Sequence, residues 1–555
     1  MTLEEEKTVV GISVPSQLTD QTNLLPHRQI RIVMFALSLC NLVTTLDQVV
    51  VSAALSTVAS AFNAGSVSAW IPAAYLMTST AFQPLYGRLS DIFGRKAAIA
   101  LAMGIYIVGN LIAGFSRSII QLIVFRAIAG IGDGGATSMV QIVISDVVSL
   151  RDRYEFGSQL IWMFDSGPII GGSLAQHVSW RWTFWITLPI SFFAAVGVVF
   201  LLPLKPVHGN MRSKLLMIDY IGVALTLAAC TMIMLPLIWG GTTFPWDSAV
   251  VLGPLCAGVV CVGIFCIWEI KGARLPLIPS TLSAIFGFVF FSMLFYLPQF
   301  FQVILGFSPT RSGIFIIPFV LGQVFAAVGS GLWVSRTGKY RFVVYSGFAL
   351  FSIACGCISI FNAQTSQGVM IVLMLLAGLG GGSTLQTTTV AAQASVERKD
   401  MAVVSAVRNF LRSLGGALAL PSSAALLNNA LRASMSSLSL SSNTITAIIN
   451  DPSVLRNSPP PLGISPLQAQ IIMSTGYNKG FKDVFYLNAA LATLAFVSSV
   501  VLIKHKELLR GDEERLKMEA KEALRAKARV DTVDAKPADA ADIEMEPVLP
   551  QSSQQ

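Results

Sequence analysis

Charged residues are scarce in this chain, and their scarcity decides its class. Only 12% of the 555 residues are charged, whereas 54% are hydrophobic, and the mean hydropathy is +0.67. A soluble globular domain carries about twice that share of charged residues. The composition therefore excludes an ordinary soluble protein and indicates one that lies in a lipid bilayer.

Three further absences exclude kinds of chemistry. The seven cysteines all fall within apolar runs, so a disulfide framework is not expected. The four histidines are scattered over loops and tails without the spacing of metal ligands, so no metal site is expected. No Gly-x-x-x-x-Gly-Lys-Ser/Thr loop is present, which argues against ATP as an energy source.

Apolar runs near the length that crosses the hydrocarbon core recur along most of the chain, and about fourteen can be drawn. Lysine and arginine collect in the short loops on one side, which places both termini in the cytoplasm. This distribution accounts for the net charge of +8, so nucleic acid is not expected as a partner. The predicted organisation is a cytoplasmic tail at 1–29, a six-helix bundle at 30–204, a linker with two extra transmembrane helices at 205–278, a second six-helix bundle at 279–504 with an extracellular loop at about 428–482, and a cytoplasmic tail at 505–555.

The stretch between the second and third apolar runs concentrates charge and glycine. It begins at Gly87 and continues through Asp91, Gly94 and Arg95 to Lys96. Both glycines are predicted to permit a tight reversal between helices, because glycine tolerates backbone conformations that other residues avoid. The charged side chains are predicted to form ion pairs and cap helix ends at the water interface.

The same pattern returns 244 residues later as Gly331, Arg336, Gly338 and Lys339, with Ser335 in place of the acid. A pattern that recurs at a fixed offset indicates an internal repeat. Many membrane transporters are built from such repeats.

Charges inside the apolar runs are the best candidates for function, because an ion in hydrocarbon is costly unless it faces water or a partner. Asp47 is predicted to be a cavity-facing proton or cation site, with a helix-end acid that contacts outside water as the alternative. Arg126 and Asp133 lie two turns apart on one helix face, and Asp133 is either an acid that works with Arg126 or a structural neutraliser. Arg408 is predicted to reach the cytoplasmic face, whereas Arg412, one turn further on, is predicted to face the cavity, where it binds an anionic group or acts on an acid. Asp165 is a further candidate cavity acid.

Several of these stretches resemble one family. Residues 87–96 resemble the loop between spans two and three of the major facilitator superfamily, and the arginine and glycines of residues 126–132 resemble its span-four basic motif. Residues 166–172, Ser-Gly-Pro-Ile-Ile-Gly-Gly, resemble the span-five motif of its proton antiporters. Residues 180–189, Trp-Arg-Trp-Thr-Phe-Trp-Ile-Thr-Leu-Pro, resemble fourteen-span drug:proton antiporters, especially fungal toxin and drug efflux pumps. The resemblance covers about residues 30–505.

The resemblance implies an all-α membrane protein with the major facilitator fold, two six-helix bundles plus two extra helices. It implies a proton-coupled efflux transporter, not an enzyme, which exports a hydrophobic organic toxin, secondary metabolite or drug by alternating access. The proton gradient is the expected energy source, without a cofactor, and the chain is expected to act as a monomer in the plasma membrane or, alternatively, the vacuolar membrane. Two alternatives stay open: a proton-coupled vacuolar carrier or importer of small molecules such as basic amino acids, and a non-transporting sensor on a transporter scaffold.

The resemblance also implies roles for single residues. Asp47 matches a first-span acid implicated in coupling and substrate binding, and Arg126 matches an arginine implicated in proton transfer. The antiporter motif is expected either to bend and seal the cavity or to form a packing face only; its residues are Gly167, Pro168, Gly171 and Gly172. Aromatic and amide side chains within spans are candidate cavity walls, although each alone is more often lipid-facing: Tyr75, Trp162, Gln302 and Gln386.

Overall fold

The computed structural model describes residues 27–62, 64, 67–147, 167–201, 220–240, 244–270, 277–394, 401–438, 440–450, 455 and 464–503. These residues form helices and short connections, and an isolated bridge joins Gly240 to Phe244. Ten helices in the described ranges are long and apolar enough to cross a membrane, and two shorter apolar helices lie at Leu227–Leu237 and Ala249–Cys261. The count of about fourteen spans stays a prediction.

The first bundle places its fourth helix between the second and third, and its first helix against the fifth and the last. Its helices are α1 (His27–Ala61), α2 (Trp70–Phe93), α3 (Arg95–Gly114), α4 (Ile119–Val147), α5 (Gly167–His177), the short α6 (Trp182–Trp185) and α7 (Thr187–Leu201). The next two helices pack on each other within the predicted linker; they are α8 (Tyr220–Trp239) and α9 (Ala249–Ile270). That they are two extra transmembrane helices stays a prediction.

The second bundle repeats this arrangement, with α13 packed between α11 and α12. Its helices are α10 (Leu277–Val303), α11 (Pro309–Thr337), α12 (Arg341–Ile358), α13 (Gln367–Ala394), α14 (Met401–Ser437), α15 (Ser442–Asn450), α16 (Pro466–Ile471) and α17 (Asn478–Leu502). A π-helical turn at Ile472–Tyr477 joins the last two. The segment predicted as an extracellular loop is therefore largely helical where it is described.

Glycines set the distance between helices in both halves. A methyl group at Gly130 of α4 would clash with the Tyr75 carbonyl of α2, and one at Gly378 of α13 would clash with the Phe319 carbonyl of α11. Tyr75 and Phe319 are 244 residues apart, the offset of the repeated turns. Backbones this close gain dispersion contacts that larger side chains would prevent. The same correspondence relates Gly134 on the Ser79 carbonyl to Gly382 on the Gln323 carbonyl.

The repeated turns each depend on one glycine. Gly94 joins α2 directly to α3 with φ of +95°, and Gly338 ends α11 with φ of +69°. Gly87 lies inside α2, and Gly331 lies inside α11. The prediction that Gly87 takes part in the reversal is wrong, because the helix continues for six residues beyond it to Phe93.

The basic side chains of the two turns differ in burial. Arg95 is 8% exposed, and its guanidinium donates a hydrogen bond to the Ser90 hydroxyl of the preceding helix. Lys96 is half-buried, whereas Arg336 and Lys339 are exposed. The first turn is thus tied to its own bundle more closely than the second.

The two glycines of the first motif predict different effects of the same change. We expect Gly94→Ala to destabilise the protein by about 1–3 kcal/mol, because its backbone conformation is essentially confined to glycine. We expect Gly87→Ala to have little effect, since an added methyl group would lie 4.0 Å from Ile142 Cδ1, an ordinary contact. Melting temperatures of the purified variants in detergent test this difference, and equal melting temperatures would contradict it.

Candidate functional site

A buried ion pair joins α1 to α4. Nη1 of Arg126 donates to both carboxylate oxygens of Asp47, at 2.8 Å from Oδ2 and 3.1 Å from Oδ1. The two side chains are 1% and 0% exposed. Removing both charges from water is costly, so such a pair requires close geometry and additional partners. Since Asp47 is buried and paired, the alternative that it is a helix-end acid in outside water is wrong.

The additional partners of Arg126 come from three other helices. Nη1 also donates to Asn110 Oδ1 of α3 at 3.0 Å. The guanidinium carbon lies 4.0 Å from the ring centre of Tyr75 in α2 and 5.4 Å from that of Phe184 in α6. Aromatic faces attract a cation, and more strongly where water is excluded. Tyr75, predicted as a cavity wall, therefore forms part of the surroundings of the ion pair.

Three polar atoms around the ion pair have no hydrogen-bond partner among the described residues. They are Nε of Arg126, Nδ2 of Asn110 and the hydroxyl of Tyr75. Buried polar groups normally have a partner in the protein or in ordered water. If the network rearranges, these three atoms can therefore form new hydrogen bonds without first breaking one to a described residue.

Asp133 lies two turns further along α4 than Arg126 and has different partners. Its carboxylate accepts hydrogen bonds from Ser79 at 2.7 Å and from Thr137 at 3.4 Å. Seven residues of α4 separate it from Arg126, about 10 Å along the helix axis. The acid that Arg126 binds is thus Asp47 and not Asp133.

Arg408 and Arg412 lie one turn apart on α14. Arg408 is 3% exposed and donates only to neutral acceptors among the described residues: the Leu385 carbonyl, Thr388 Oγ1 at 3.1 Å and Asn409 Oδ1 at 3.4 Å. Arg412 is half-buried, and no hydrogen bond or ion pair joins it to another described residue. Of the two, the more buried arginine is the one that sequence reasoning placed at the cytoplasmic face.

Arg408 and Arg412 belong to a central polar layer, which we define as Gln83, Asp133, Arg408, Arg412 and Ser413. Gln83 Nε2 of α2 donates to Ser413 Oγ of α14 at 2.9 Å, which links the two bundles. α4, which carries Asp133, packs against α14, which carries Arg412, across the same boundary. Gln83 lies 13 residues into α2, about 20 Å along the helix, which is near its middle.

At the end opposite the repeated turns, polar side chains join the bundles again. The Ser56 hydroxyl of α1 donates to Gln302 Oε1 of α10, and Gln302 Nε2 donates to the Ala53 carbonyl at 3.4 Å. Gln176 lies near the end of α5. Its Oε1 accepts hydrogen bonds from the backbone N–H and the hydroxyl of Thr310 in α11, at 3.3 and 2.7 Å. Gln302, predicted as a cavity wall, is therefore a tie between the halves.

The antiporter motif packs against both halves. Gly171 lies on the backbone of Val50 in α1, and Gly172 lies on the backbone of Pro309 and Thr310 in α11. Any side chain at either glycine would clash with main-chain atoms. The motif therefore has the packing face that the sequence predicted, and its bending role stays a prediction.

Several predicted site residues lie outside the described part of the chain. Trp162 and Asp165 lie there entirely, and the side chains of Asp91 and Gln386 do too. The backbone of Gly167 and Pro168 begins α5. The roles predicted for these residues stay predictions.

Sequence reasoning missed two residues that the structure places at the site. Asn110 was passed over, although a single amide within an apolar run is itself a sign of a buried polar contact. Arg408 was treated as a residue that reaches the cytoplasmic face, because its distance along the helix was considered without the carbonyls of α13. No spacing in the sequence links Asn110 or Arg408 to its partner.

Residues 37–420 match the family profile described as Major Facilitator Superfamily. The chain belongs to the major facilitator superfamily. Among its relatives is the efflux pump dotC of Dothistroma septosporum, 35% identical over 429 residues, with 74% of each chain covered. Citrate exporter 1 of Yarrowia lipolytica is 33% identical over 452 residues, which cover 79% of this chain and 67% of the relative.

Solved structures of the superfamily share the fold. A bacterial homologue of the human lysosomal transporter Spinster, solved in an inward-facing and occupied conformation, superposes with a TM-score of 0.55 at 14% identity. The superposed region covers 86% of this chain and 97% of the bacterial protein. The predicted all-α major facilitator fold is thereby confirmed, and the chain is a multi-pass membrane transporter of small molecules, not an enzyme.

The ion pair predicts a non-additive effect on stability. We expect Asp47→Leu or Arg126→Met alone to cost about 3–5 kcal/mol, because each leaves an unpaired charge in the bundle. The double variant Asp47→Leu/Arg126→Met should be more stable than the sum of the single effects predicts. Melting temperatures in detergent measure this, with Asp247→Asn on an exposed turn as the control. Additive losses would show that the two side chains do not depend on each other.

Proposed function

We propose that this superfamily member exports organic molecules in exchange for protons, by alternating access between its two bundles. The printed names of relatives, an efflux pump and a citrate exporter among them, support export. We further propose that the exporter acts as a monomer in the plasma membrane, with the proton gradient as its energy source.

The observation that carries the proposal is the carboxylate of Asp47, buried in α1 and bound by Arg126. A carboxylate at membrane depth is costly in free energy unless it faces water or a partner. Such residues generally mark a pathway for protons, ions or substrates. Protonation of Asp47 would remove the charge that holds the guanidinium, so Arg126 would need a different arrangement. Proton binding in this way changes contacts between α1, α3 and α4 together.

Alternating access also requires contacts between the bundles that form and break. The bonds of Gln302 with Ser56 and of Gln176 with Thr310 lie between the bundles at one end. They are polar side-chain bonds that water can replace, which suits contacts that separate repeatedly. In this proposal, they close the outer side while substrate enters from the cytoplasm.

The first experiment identifies a substrate and the direction of transport. A pump-deficient yeast host, with and without the chain, is grown on a panel of cationic, neutral and anionic toxic compounds. An exporter should increase resistance and lower the cellular content of at least one compound. A higher content would support the importer alternative, and no change for any compound together with no flux in vesicles would support a sensor.

The second experiment tests proton coupling. Vesicles that contain the purified protein and the identified compound are given a proton gradient of either sign or none. Transport that follows the gradient, and that stops when an uncoupler is added, is the expected result. Transport that is indifferent to the gradient would contradict proton exchange.

Asp47→Asn should separate coupling from binding. The amide keeps the size of the side chain but cannot carry a proton, so we expect proton-driven transport to fall about tenfold or more. Exchange of labelled for unlabelled substrate without a gradient should persist, and Asp47→Glu should keep part of the driven transport. Asp247→Asn is the matched control on an exposed turn. Normal surface abundance with undiminished driven transport in Asp47→Asn would remove Asp47 from the mechanism.

A further inference from the structure

The central polar layer contains more positive than negative charge. Arg408 and Arg412 contribute two guanidinium groups, and Asp133, on the neighbouring helix α4, contributes the one carboxylate. No carboxylate of the described residues lies within 4 Å of either arginine. Among the described residues, the layer therefore has one carboxylate for two guanidinium groups, one negative charge fewer than neutrality requires.

Arg408 is held in place by neutral groups rather than by a counter-ion. Its guanidinium binds the Leu385 carbonyl and Thr388 Oγ1 of α13, so it cannot move toward water without losing those bonds. A like charge one turn away makes the position less favourable still. An unneutralised arginine at this depth is costly, and such residues generally mark a pathway for ions or substrates.

Two donors beside the arginines have no partner among the described residues. Nε of Arg408 and Nδ2 of Asn409 are both buried and unbonded, and the two residues are each 3% exposed. Arg412, by contrast, is half-buried, and no hydrogen bond or ion pair joins its guanidinium to another described residue. The unbonded groups that α14 contributes here are hydrogen-bond donors, whereas Gln83 of α2 contributes one unbonded acceptor, its Oε1, to the same layer.

A ligand that satisfies these groups must accept hydrogen bonds and carry negative charge. A carboxylate does both, because it offers two oxygens and matches the planar donor pair of a guanidinium. A lipid headgroup is less suitable, because headgroups lie at the membrane surface, whereas Arg412 lies about 16 Å along α14 from its start at Met401, beside Ser413, which binds Gln83 near the middle of α2. The donor set thus selects an organic anion that enters the cavity.

We propose that Arg412, with Arg408 beside it, binds a carboxylate group of the transported molecule. The proposal rests on the proposed function in one respect, that the chain carries an organic substrate. Arg412 contacts the carboxylate directly, because it is the less buried of the two arginines and forms no hydrogen bond with a described residue. Arg408 is a positioning residue that adds charge while α13 fixes it.

The test compares two probes of equal shape, 2-naphthoate and the neutral 2-naphthamide. Binding to the full-length purified protein in detergent is measured without any gradient, by quenching of tryptophan fluorescence. We expect the wild type to bind 2-naphthoate about tenfold or more tightly than 2-naphthamide, the size expected for a charge-assisted hydrogen bond. Arg412→Gln should abolish this preference while affinity for 2-naphthamide changes little.

Two controls keep the outcome decisive. Arg117→Gln removes an exposed arginine from the turn between α3 and α4 and should leave the preference unchanged. Arg412→Lys keeps the charge without the planar donor pair and should keep part of the preference. If Arg412→Gln does not fold, the wild type and Arg412→Lys still decide the matter.

Equal binding of the two probes by the wild type would overturn the proposal, as would an unchanged preference in Arg412→Gln. Because no gradient is applied, the result is independent of proton coupling. Failure of driven transport with the preference intact would contradict the proposed function alone. Driven transport of neutral or cationic compounds without the preference would contradict the carboxylate site alone.

Discussion

The pairing of Arg126 with Asp47 is the constraint around which the first bundle is arranged. A guanidinium buried among helices needs an anion, hydrogen-bond acceptors and aromatic faces, and here these come from α1, α2, α3 and α6. All four helices must therefore approach α4 closely at one level. The glycines of α4 make that approach possible, since Gly130 rests on the α2 backbone one turn beyond Arg126.

The internal repeat is a repeat of packing rather than of charge. Gly130 and Gly378 rest on equivalent carbonyls in the two bundles, yet the side chains at those carbonyls are Tyr75 and Phe319. Tyr75 faces a cation, whereas Phe319 stacks on Phe290 with ring centres 5.9 Å apart. One backbone frame thus supports a polar network in the first half and an aromatic core in the second. The second half supplies its charge on a different helix, α14.

Patterns local in sequence were predicted well, and contacts between distant helices were not. Gly94 and Gly338 could be identified as turn residues because a charged, glycine-containing break between apolar runs is a local signal. Gly87 was misassigned because a glycine inside a helix and one in a turn look alike in sequence. The pairing of Asp47 with Arg126 spans 79 residues and has no periodic signature. Helical spacing instead favoured Asp133, which shares a face of α4 with Arg126.

Two layers of buried charge, about 10 Å apart along α4, suggest how proton and substrate sites can influence each other without touching. Arg126 and Asp133 are carried by one rigid helix, so a shift that loosens Arg126 from Asp47 also moves Asp133 relative to Arg412 of the second bundle. The hydrogen bond from Gln83 to Ser413 crosses the same boundary, so that movement would lengthen or break it. In such an arrangement, the ion pair and the central polar layer can be coupled without a chain of contacting residues between them. A shift of α4 between two positions would be enough, because α4 carries a residue of each. Under the proposed proton exchange, the separation of Asp133 from Arg412 would therefore depend on whether Asp47 holds a proton.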